Sequence, residues 1–393
     1  MKVALVHYWL VGMRGGEKVL EEMCRLFPDA DIFTLVIDRK AISPTILRHP
    51  IKTSFLQKIG GAKHYQKMLP LMPFALEAFD LTGYDLVISS EAGPAKSIVT
   101  RPDAVHICYC HSPMRYLWDC SQQYQNNAGR VSRFVMQMTF PMLRQWDLAS
   151  ATRVDHFVAN SAFVAQRIRK FYRRDASVIH PPVSVERFCI AREVDDYYLC
   201  AGQITPYKKV ELAVEACTKL GRKLIVLGSG ATKQLKAIAG PSVTFHEKVD
   251  DATMEYHLSH CKALLYPGIE DFGIVPLEAM ASGRPVIAYA RGGALETVIE
   301  GKTGWFFAEQ TSSSLCEAIV SFEANQHLFE PEEIQRHAQS FNTARFRQEL
   351  TMFVNNAMDR SELAPVKRFK LRDDSVGAVI AKFPVPANPK SLN

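Results

Sequence analysis

The sequence predicts an α/β protein with two doubly wound domains, each a parallel sheet covered by helices, that face one another across a cleft. Short apolar runs rich in β-branched residues alternate with amphipathic stretches, which is typical of parallel strands buried on both faces and the helices between them. The alternation stops at the proline-containing segment HPPVSVERF (180–188) and then starts again. The length of 393 residues agrees with two or three domains.

These patterns divide the chain into four parts. We expect an N-terminal domain over residues 1–183 and a C-terminal domain over residues 184–340. Residues after about 311 have a mostly helical pattern, and we expect residues 341–360 to form a C-terminal helix that packs back on the N-terminal domain. Residues 361–393 contain PVPANP and little pattern, so they predict a loosely ordered tail.

The N-terminal domain opens with the strand KVALVHYW, a loop at Gly12, Gly15 and Gly16, and the amphipathic helix EKVLEEMCRLF. Further buried strands are predicted at DIFTLVI, DLVISS, AVHICYC and DHFVAN. Ser161 suits the N-cap of a helix over AFVAQRIRKFY.

The C-terminal domain repeats the pattern. Strands are predicted at YYLCAG, KLIVLGSG, VTFHEKV, KALLYP and PVIAYARGG, and helices at KKVELAVEACTKL, ATMEYHLSHC, IVPLEAMASG and ALETVIEG, the last ending at Gly301. Ligands of open α/β sheets bind outside the carboxyl ends of the strands, so we expect the binding cleft between the two sheets.

Charge is distributed unevenly along the chain. The net charge of +6 is too small to indicate nucleic-acid binding. Residues 1–183 hold 23 basic and 15 acidic side chains, a difference of +8, and residues 184–393 hold 24 basic and 26 acidic, a difference of −2. No stretch reaches the roughly 18 apolar residues of a membrane span, and nine scattered cysteines indicate reduced thiols in a cytoplasmic protein.

Three loops at the expected cleft carry groups that suit an anion or a sugar. The loop GMRGG (12–16) precedes a helix, where backbone N–H groups favour an anion, although a tight turn would need the same glycines. His111 follows a buried strand and can donate to a hydroxyl or phosphate, or make a structural hydrogen bond. Lys208 begins a helix, where it can meet a phosphate or remain a solvated surface residue.

The most specific pattern is GIEDFGIVPLEAMASGRPVIA (268–288). Glu270 precedes the helix that begins at Ile274, and Glu278 lies one turn into it, so both carboxylates can point at one ligand. The backbone N–H groups of residues 272–275 lie at the helix N-terminus, where they can donate to hydroxyls or phosphate. Two carboxylates that flank such a turn suit a polyhydroxylated, phosphorylated ligand.

Over residues 1–360 the sequence resembles the retaining glycosyltransferases of family 4 (GT4), which have the GT-B fold of two facing Rossmann-like domains. The resemblance rests on EDFGIVPLE with its E-x₇-E spacing, AMASGRPVIA, GG-x-x-E at 292–296, GGEKVL, NSAFVAQRI and HPPVSVERF. HSPMRYLWD and PYKKVELAVEA resemble a bacterial subgroup that builds O-antigens and exopolysaccharides, often from GDP-mannose.

The resemblance implies that the catalytic residues are His111, near the anomeric carbon of the sugar, Lys208, on the diphosphate, and Glu270, on the sugar hydroxyls. Glu278 would bind the nucleotide ribose. The other implied donor-binding residues are Gly15, Gly16, Gln203, Lys209, Lys248, Val249, Phe272, Gly273, Ile274 and Val275.

Gln203 departs from the family pattern, because many members have Arg at this position. A neutral Gln cannot stabilise a leaving diphosphate as Arg would, so Lys209 or Arg14 compensates, or the subgroup works with one charge fewer. The sequence has no Asp-x-Asp motif at a strand end. We therefore expect Lys208 and backbone amides to neutralise the diphosphate without a metal ion or other cofactor.

Residues 46–78 mix basic and apolar side chains and contain no acid before Glu77. This pattern suits a surface that lies on anionic lipid. The alternative is a helical hairpin with an ordinary core side and solvated lysines. On the first interpretation Lys58, Lys63 and Lys67, together with Arg115, face the acceptor and the membrane.

The resulting hypothesis is a retaining hexosyltransferase on the inner face of the plasma membrane, with nucleotide sugar and anionic lipid as partners and no nucleic acid. It would move mannose from GDP-mannose to a lipid-diphosphate-linked saccharide in bacterial surface polysaccharide biosynthesis. One alternative is a UDP-sugar donor. Another is a non-catalytic scaffold of a polysaccharide complex that binds a nucleotide sugar.

Overall fold

A computed structural model of the protein describes residues 1–247 and 249–360. The predictions for Lys248 and for residues 361–393 lie outside these residues. The described chain forms two α/β domains, and every strand pair in both sheets is parallel. The doubly wound fold class is confirmed.

Seven strands form the N-terminal sheet: β1 (Val3–His7), β2 (Asp31–Thr34), β3 (Ile51–Thr53), β4 (Leu86–Glu91), β5 (Val105–Cys110), β6 (His156–Ala159) and β7 (Ala176–Val178). Their order is β3-β2-β1-β4-β5-β6-β7. The three central strands β1, β4 and β5 are buried along their whole length, which explains their continuous apolar runs. The short, partly exposed edge strands β3 and β7 lack such runs and were not predicted.

The helices of the N-terminal domain are α1 (Gly15–Leu26), α2 (Pro44–Leu47), α3 (Gly61–His64), α4 (Met72–Glu77), α5 (Ser121–Asn127), α6 (Arg130–Ala151) and α7 (Ala162–Tyr172). The N-cap prediction for α7 is confirmed, because Ser161 Oγ accepts a hydrogen bond from Val164 N at 3.0 Å. The alternative considered for residues 46–78 is confirmed in part. Its lysines are exposed, and its apolar side chains pack in the core at Leu56, Tyr65, Met72 and Leu76. The segment is not a hairpin, however. Pro50 and Gly60 interrupt that segment, which folds as short helical turns around β3.

The C-terminal sheet contains β8 (Tyr198–Ala201), β9 (Leu224–Leu227), β10 (Val243–His246), β11 (Ala263–Tyr266), β12 (Val286–Tyr289) and β13 (Gly304–Phe307), in the order β10-β9-β8-β11-β12-β13. The remaining helices are α8 (Val210–Leu220), α9 (Lys233–Ala237), α10 (Asp251–His260), α11 (Ile274–Ala281), α12 (Ala294–Thr297), α13 (Ser312–Ala324), α14 (Pro331–Gln339) and α15 (Thr343–Arg360). The helix expected to reach Gly301 ends at Thr297, because Val298 is extended and Ile299 N bonds to Thr303 Oγ at 2.8 Å.

The last described helix, α15, packs on the N-terminal domain. Phe346, Leu350 and Val354 belong to one buried cluster with Leu20 of α1 and Tyr109 of β5. The ring centroids of Phe346 and Tyr109 lie 5.8 Å apart. The chain therefore crosses between the domains twice, which limits how they can move relative to one another.

Candidate active site

A cavity of about 430 Å³ lies between the two domains, at the carboxyl ends of both sheets. Its lining includes Gly15, Gly16, His111 and Arg115 from the N-terminal domain and Glu270, Phe272, Gly273, Ile274 and Val275 from the C-terminal domain. The volume is within the usual range for a small-molecule site. The fold thus brings together side chains that the sequence placed at the expected cleft.

Lys208 and Glu270 form an ion pair at the floor of the C-terminal side. Lys208 Nζ lies 3.2 Å from Glu270 Oε1, and both side chains are largely buried. Two glycines make this arrangement possible. A Cβ at Gly202 would lie 3.0 Å from Lys208 Nζ, and one at Gly268 would lie 2.7 Å from Lys208 Cα. The ammonium group is therefore held at the point where β8 and β11 end.

The N-terminus of α11 opens onto the same cavity. Gly273 precedes the helix with a φ of 90°, and a Cβ at this position would lie 2.5 Å from the hydroxyl of Tyr266. No side chain caps the helix, so its first N–H groups are available to a ligand. Glu278 lies one turn along, as predicted. Burial raises its pKa, and Lys18 Nζ lies 3.9 Å from its Oε1.

Gly292 and Gly293 hold the turn that carries Glu270. Gly293 N donates to the Glu270 carbonyl at 3.0 Å. A Cβ at Gly292 would lie 2.5 Å from that carbonyl oxygen, and one at Gly293 would lie 2.3 Å from the Phe272 carbonyl oxygen. The close approach of the two backbones explains the glycine pair in GG-x-x-E.

His111 lies at the end of a buried polar chain. Its Nε2 is 2.9 Å from Ser90 Oγ, which is 3.3 Å from His7 Nδ1. His7 Nε2 is 3.7 Å from Glu17 Oε1, and Glu17 accepts a hydrogen bond from Arg14 N in the glycine loop. The register between β1 and β4 creates this series of polar contacts, because it pairs His7 with Ser90. His7 was not predicted as a site residue, although a histidine in an otherwise apolar strand indicates a polar partner.

Burial lowers the pKa of His111 to about 3. The imidazole is therefore neutral near pH 7, and with Nε2 engaged by Ser90 it keeps Nδ1 for a substrate. A Cβ at Gly16 would lie 3.6 Å from His111 Nε2, and one at Gly15 would lie 3.0 Å from Ile274 Cδ1. The glycine loop thus lies between His111 and the first turn of α11.

An ion-pair cluster joins the domains beside Glu270. Asp271 Oδ1 accepts from Arg167 Nη1 at 2.6 Å and lies 3.0 Å from Arg115 Nη2. Arg167 also pairs with Asp119 at 2.6 Å. Arg115 therefore contacts the C-terminal domain. The sequence had predicted only that Arg115 faces the acceptor and the membrane. Asp271 was not singled out, because its partners lie 104 and more residues away in the sequence.

Glu296, which ends the GG-x-x-E motif, also bridges the domains. Its carboxylate accepts from the backbone N–H groups of Ala162 and Phe163 at 2.7 and 3.0 Å, at the N-terminus of α7. Its Oε2 also lies 3.1 Å from His180 Nε2. Although burial raises the pKa of Glu296, these hydrogen bonds hold it below its usual value.

Three other described residues that were predicted to bind the donor do not line the cavity. Gln203 is exposed, and Lys209 Nζ pairs with Glu211 at 3.3 Å. Val249 packs against the C-terminal core, and Lys248 lies outside the described residues. Among the described residues, neither Gln203 nor Lys209 lines the cavity. That Lys209 or Arg14 compensates for the Arg that many family members have at position 203 stays a prediction.

The basic segment 46–78 lies at the surface of the N-terminal domain. Lys58, Lys63 and Lys67 are exposed, and so are the apolar side chains of Phe55, Ile59, Leu71 and Phe74. Within residues 1–247 and 249–360, no helix is long and apolar enough to cross a membrane.

Comparisons with protein families identify both halves of this architecture. A model described as "Glycosyltransferase Family 4" matches residues 13–187, and one described as "Glycosyl transferases group 1" matches residues 167–341. Together the two matches run from residue 13 to residue 341.

Curated relatives carry the name alpha-1,3/1,6-mannosyltransferase ALG2. The protein of Kluyveromyces lactis is 27% identical over 316 residues, which are 63% of this chain and 61% of the relative. That of Schizosaccharomyces pombe is 25% identical over 376 residues, 78% of this chain and 70% of the relative. That of Homo sapiens is 30% identical over 207 residues, 43% of this chain and 50% of the relative. The chain thus spans about three fifths of the Kluyveromyces lactis relative.

Solved structures agree on the fold. Sucrose-phosphate synthase from Thermosynechococcus elongatus superposes with a TM-score of 0.67 at 17% identity, covering 91% of this chain and 100% of that one. Anabaena Alr3699/HepE in complex with UDP-glucose superposes with a TM-score of 0.66 at 16% identity, with the same coverage. The two family matches and the two facing parallel sheets show that the chain belongs to the GT4 glycosyltransferases and has the GT-B fold.

Proposed function

We propose that the protein transfers mannose, with retention of configuration, from a nucleotide sugar to a saccharide acceptor. The observation that carries the proposal is a cavity lined by His111, by Glu270 and by the uncapped N-terminus of α11. Glu270 in turn pairs with Lys208 at 3.2 Å. A cation and free N–H groups suit a diphosphate, and carboxylates suit sugar hydroxyls.

In this proposal, the bond between the anomeric carbon and the diphosphate oxygen breaks first, and the sugar passes through an oxocarbenium-like state. Lys208, the α11 amides and the glycine loop stabilise the departing diphosphate. The acceptor hydroxyl attacks the same face of the sugar and gives its proton to the leaving phosphate. Neutral His111 lies on the opposite side of the cavity, where it can hydrogen-bond the sugar.

We choose mannose as the proposed donor sugar because the relatives named above are mannosyltransferases. We propose GDP-mannose as the donor, with a UDP-sugar as the alternative. Calorimetric titration with GDP-, UDP- and dTDP-sugars decides between them. The expected result is binding of GDP-mannose that is weakened about tenfold or more in Glu278→Ala. Selective binding of a UDP-sugar would overturn the choice of base.

We propose a lipid-diphosphate-linked saccharide as the acceptor, presented at the inner face of the plasma membrane. The exposed lysines at positions 58, 63 and 67, beside exposed apolar side chains, support this placement. A role in bacterial surface polysaccharide synthesis rests on the sequence resemblance alone. The proposed acceptor is tested by mass spectrometry of the product made on synthetic lipid-diphosphate saccharides. Transfer only to acceptors without a lipid would contradict the proposal of a lipid-linked acceptor.

We also propose that the reaction needs no metal ion, since Lys208 and the α11 amides can neutralise the diphosphate. Turnover is then expected to be unchanged after dialysis against a chelator, and a loss restored by a divalent cation would contradict this. Tight donor binding without turnover on any acceptor would favour the scaffold alternative instead.

A further inference from the structure

Helix α6 carries an apolar stripe that nothing in the described chain covers. The stripe consists of five side chains with their exposed fractions: Val131 79%, Phe134 64%, Val135 46%, Met138 67% and Met142 57%. At about 100° per residue these positions fall within an arc of roughly 100° on one side of the helix. A monomeric soluble protein rarely exposes such a contiguous apolar surface, so the stripe marks an interaction site.

The charges of α6 favour an anionic partner. Its one acid, Asp147, is buried in an ion pair with Lys96, so the helix presents no carboxylate to solvent. Arg130 is exposed at its start. Arg133 donates to the backbone carbonyls of Gln125 and Asn126 and ties α6 to the end of α5.

Helix α6 starts near the cavity, and its buried side packs in a cluster that also contacts the basic segment 46–78. Tyr124 of α5 lines the cavity, and α6 begins six residues later. Further along α6, Phe140 and Leu143 pack with Met114 and Leu117, and Leu69 of the basic segment packs against the same cluster. Arg153, just after α6, pairs with Glu77 at the end of α4 at 2.7 Å.

We propose that the α6 stripe inserts into the surface of an anionic phospholipid bilayer, with the lysines of segment 46–78 lying on the headgroups beside it. An exposed apolar stripe and exposed lysines on the same domain are the chemistry of an interfacial surface. The contact places the cavity mouth at the membrane, where a lipid-linked acceptor can reach it. The role of the contact in acceptor delivery rests on the proposed function, whereas vesicle binding can be measured without any transfer activity.

The test measures binding of the full chain to vesicles of phosphatidylcholine, alone and mixed with phosphatidylglycerol, at low and high salt. Phe134→Ser with Met138→Ser is expected to reduce binding to the anionic vesicles at least about tenfold at both salt concentrations, because apolar burial is not screened. Charge reversal of Lys58, Lys63 and Lys67 reduces binding at low salt only. Val320→Ser with Leu328→Ser, which changes equally apolar exposed residues of the C-terminal domain, leaves binding unchanged.

Equal vesicle binding by the Phe134/Met138 variant and the wild type, with equal melting temperatures, would overturn the proposal. So would a concentration-dependent dimer of the wild type that is lost in the variant while vesicle binding is kept, since a second copy would then cover the stripe. Transfer assays separate the two claims. The variant is expected to keep wild-type transfer to a detergent-soluble acceptor and lose it with vesicle-bound acceptor, whereas no transfer by the wild type refutes the proposed function alone.

Discussion

The substitution Asp271→Asn tests whether the ion-pair cluster holds the cleft closed. Asp271 Oδ1 contacts Arg167 at 2.6 Å and Arg115 at 3.0 Å, and both partners belong to the other domain. Asn keeps the shape and one acceptor oxygen but leaves two guanidinium groups without their shared charge. Domain closure should therefore be weakened while each domain remains folded.

The magnitude follows from the two contacts. A hydrogen bond to a charged group is worth about 1.5–3 kcal/mol, and removing one partner of a buried ion pair costs about 3–5 kcal/mol. Because Arg167 retains Asp119, we expect closure to lose about 2–4 kcal/mol. If closure is needed to hold the donor, this corresponds to a rise in donor KM of roughly 30- to 1000-fold.

Steady-state kinetics measure the donor KM, and small-angle X-ray scattering measures the radius of gyration, which should increase in the variant. Asp103→Asn is the matched control, since it removes a surface ion pair with Arg101 inside one domain and should change neither quantity. A variant at Asp271 with wild-type donor KM and radius of gyration would refute the reasoning.

Three further predictions concern the site. Glu278→Ala should raise the donor KM about tenfold or more in steady-state kinetics, because it removes a charged acceptor, and an unchanged KM would exclude a ribose contact. Gly292→Ala should lower the melting temperature more than Gly301→Ala. Both glycines have a φ of 70°, but only a Cβ at Gly292 would meet a backbone oxygen, that of Glu270 at 2.5 Å. Equal decreases in melting temperature would mean that the backbone strain alone, and not the contact with Glu270, causes the effect. Burial lowers the pKa of His111 to about 3, so the contribution of neutral His111 to the free energy of unfolding is present above about pH 6.5 and is lost as the pH falls towards 3. An NMR titration should show a neutral His111 ring from about pH 5 to 8. A titration midpoint near pH 6.5 would contradict this.

The sequence predicted those parts of the fold whose signals are local. Continuous apolar runs identified β1, β4 and β5 because these strands are buried on both faces. The Gly273 turn, the start of α11 at Ile274 and the position of Glu278 followed from helix geometry alone. His111 was placed at the cavity because it follows a buried strand.

The remainder depends on contacts between distant segments. No periodicity pairs Asp271 with Arg167, or Lys96 with Asp147, across 104 and 51 residues. Helix α6 was missed because Pro141 interrupts its pattern and its apolar stripe faces solvent rather than a core. The left-handed backbone of Lys209 at φ 52° and its pairing with Glu211 at 3.3 Å likewise had no signal in the sequence.

The most direct test of the central claim is the rate of nucleoside diphosphate release from the donor in the presence of acceptor. If Lys208 and Glu270 hold the reacting end of the donor, Lys208→Met and Glu270→Gln should each lower kcat by about 10²- to 10³-fold, the usual cost of losing one transition-state contact. Lys219→Met and Glu215→Gln, on the exposed side of α8, should retain full activity. Turnover that survives both substitutions at Lys208 and Glu270 would contradict the placement of the donor in this cavity.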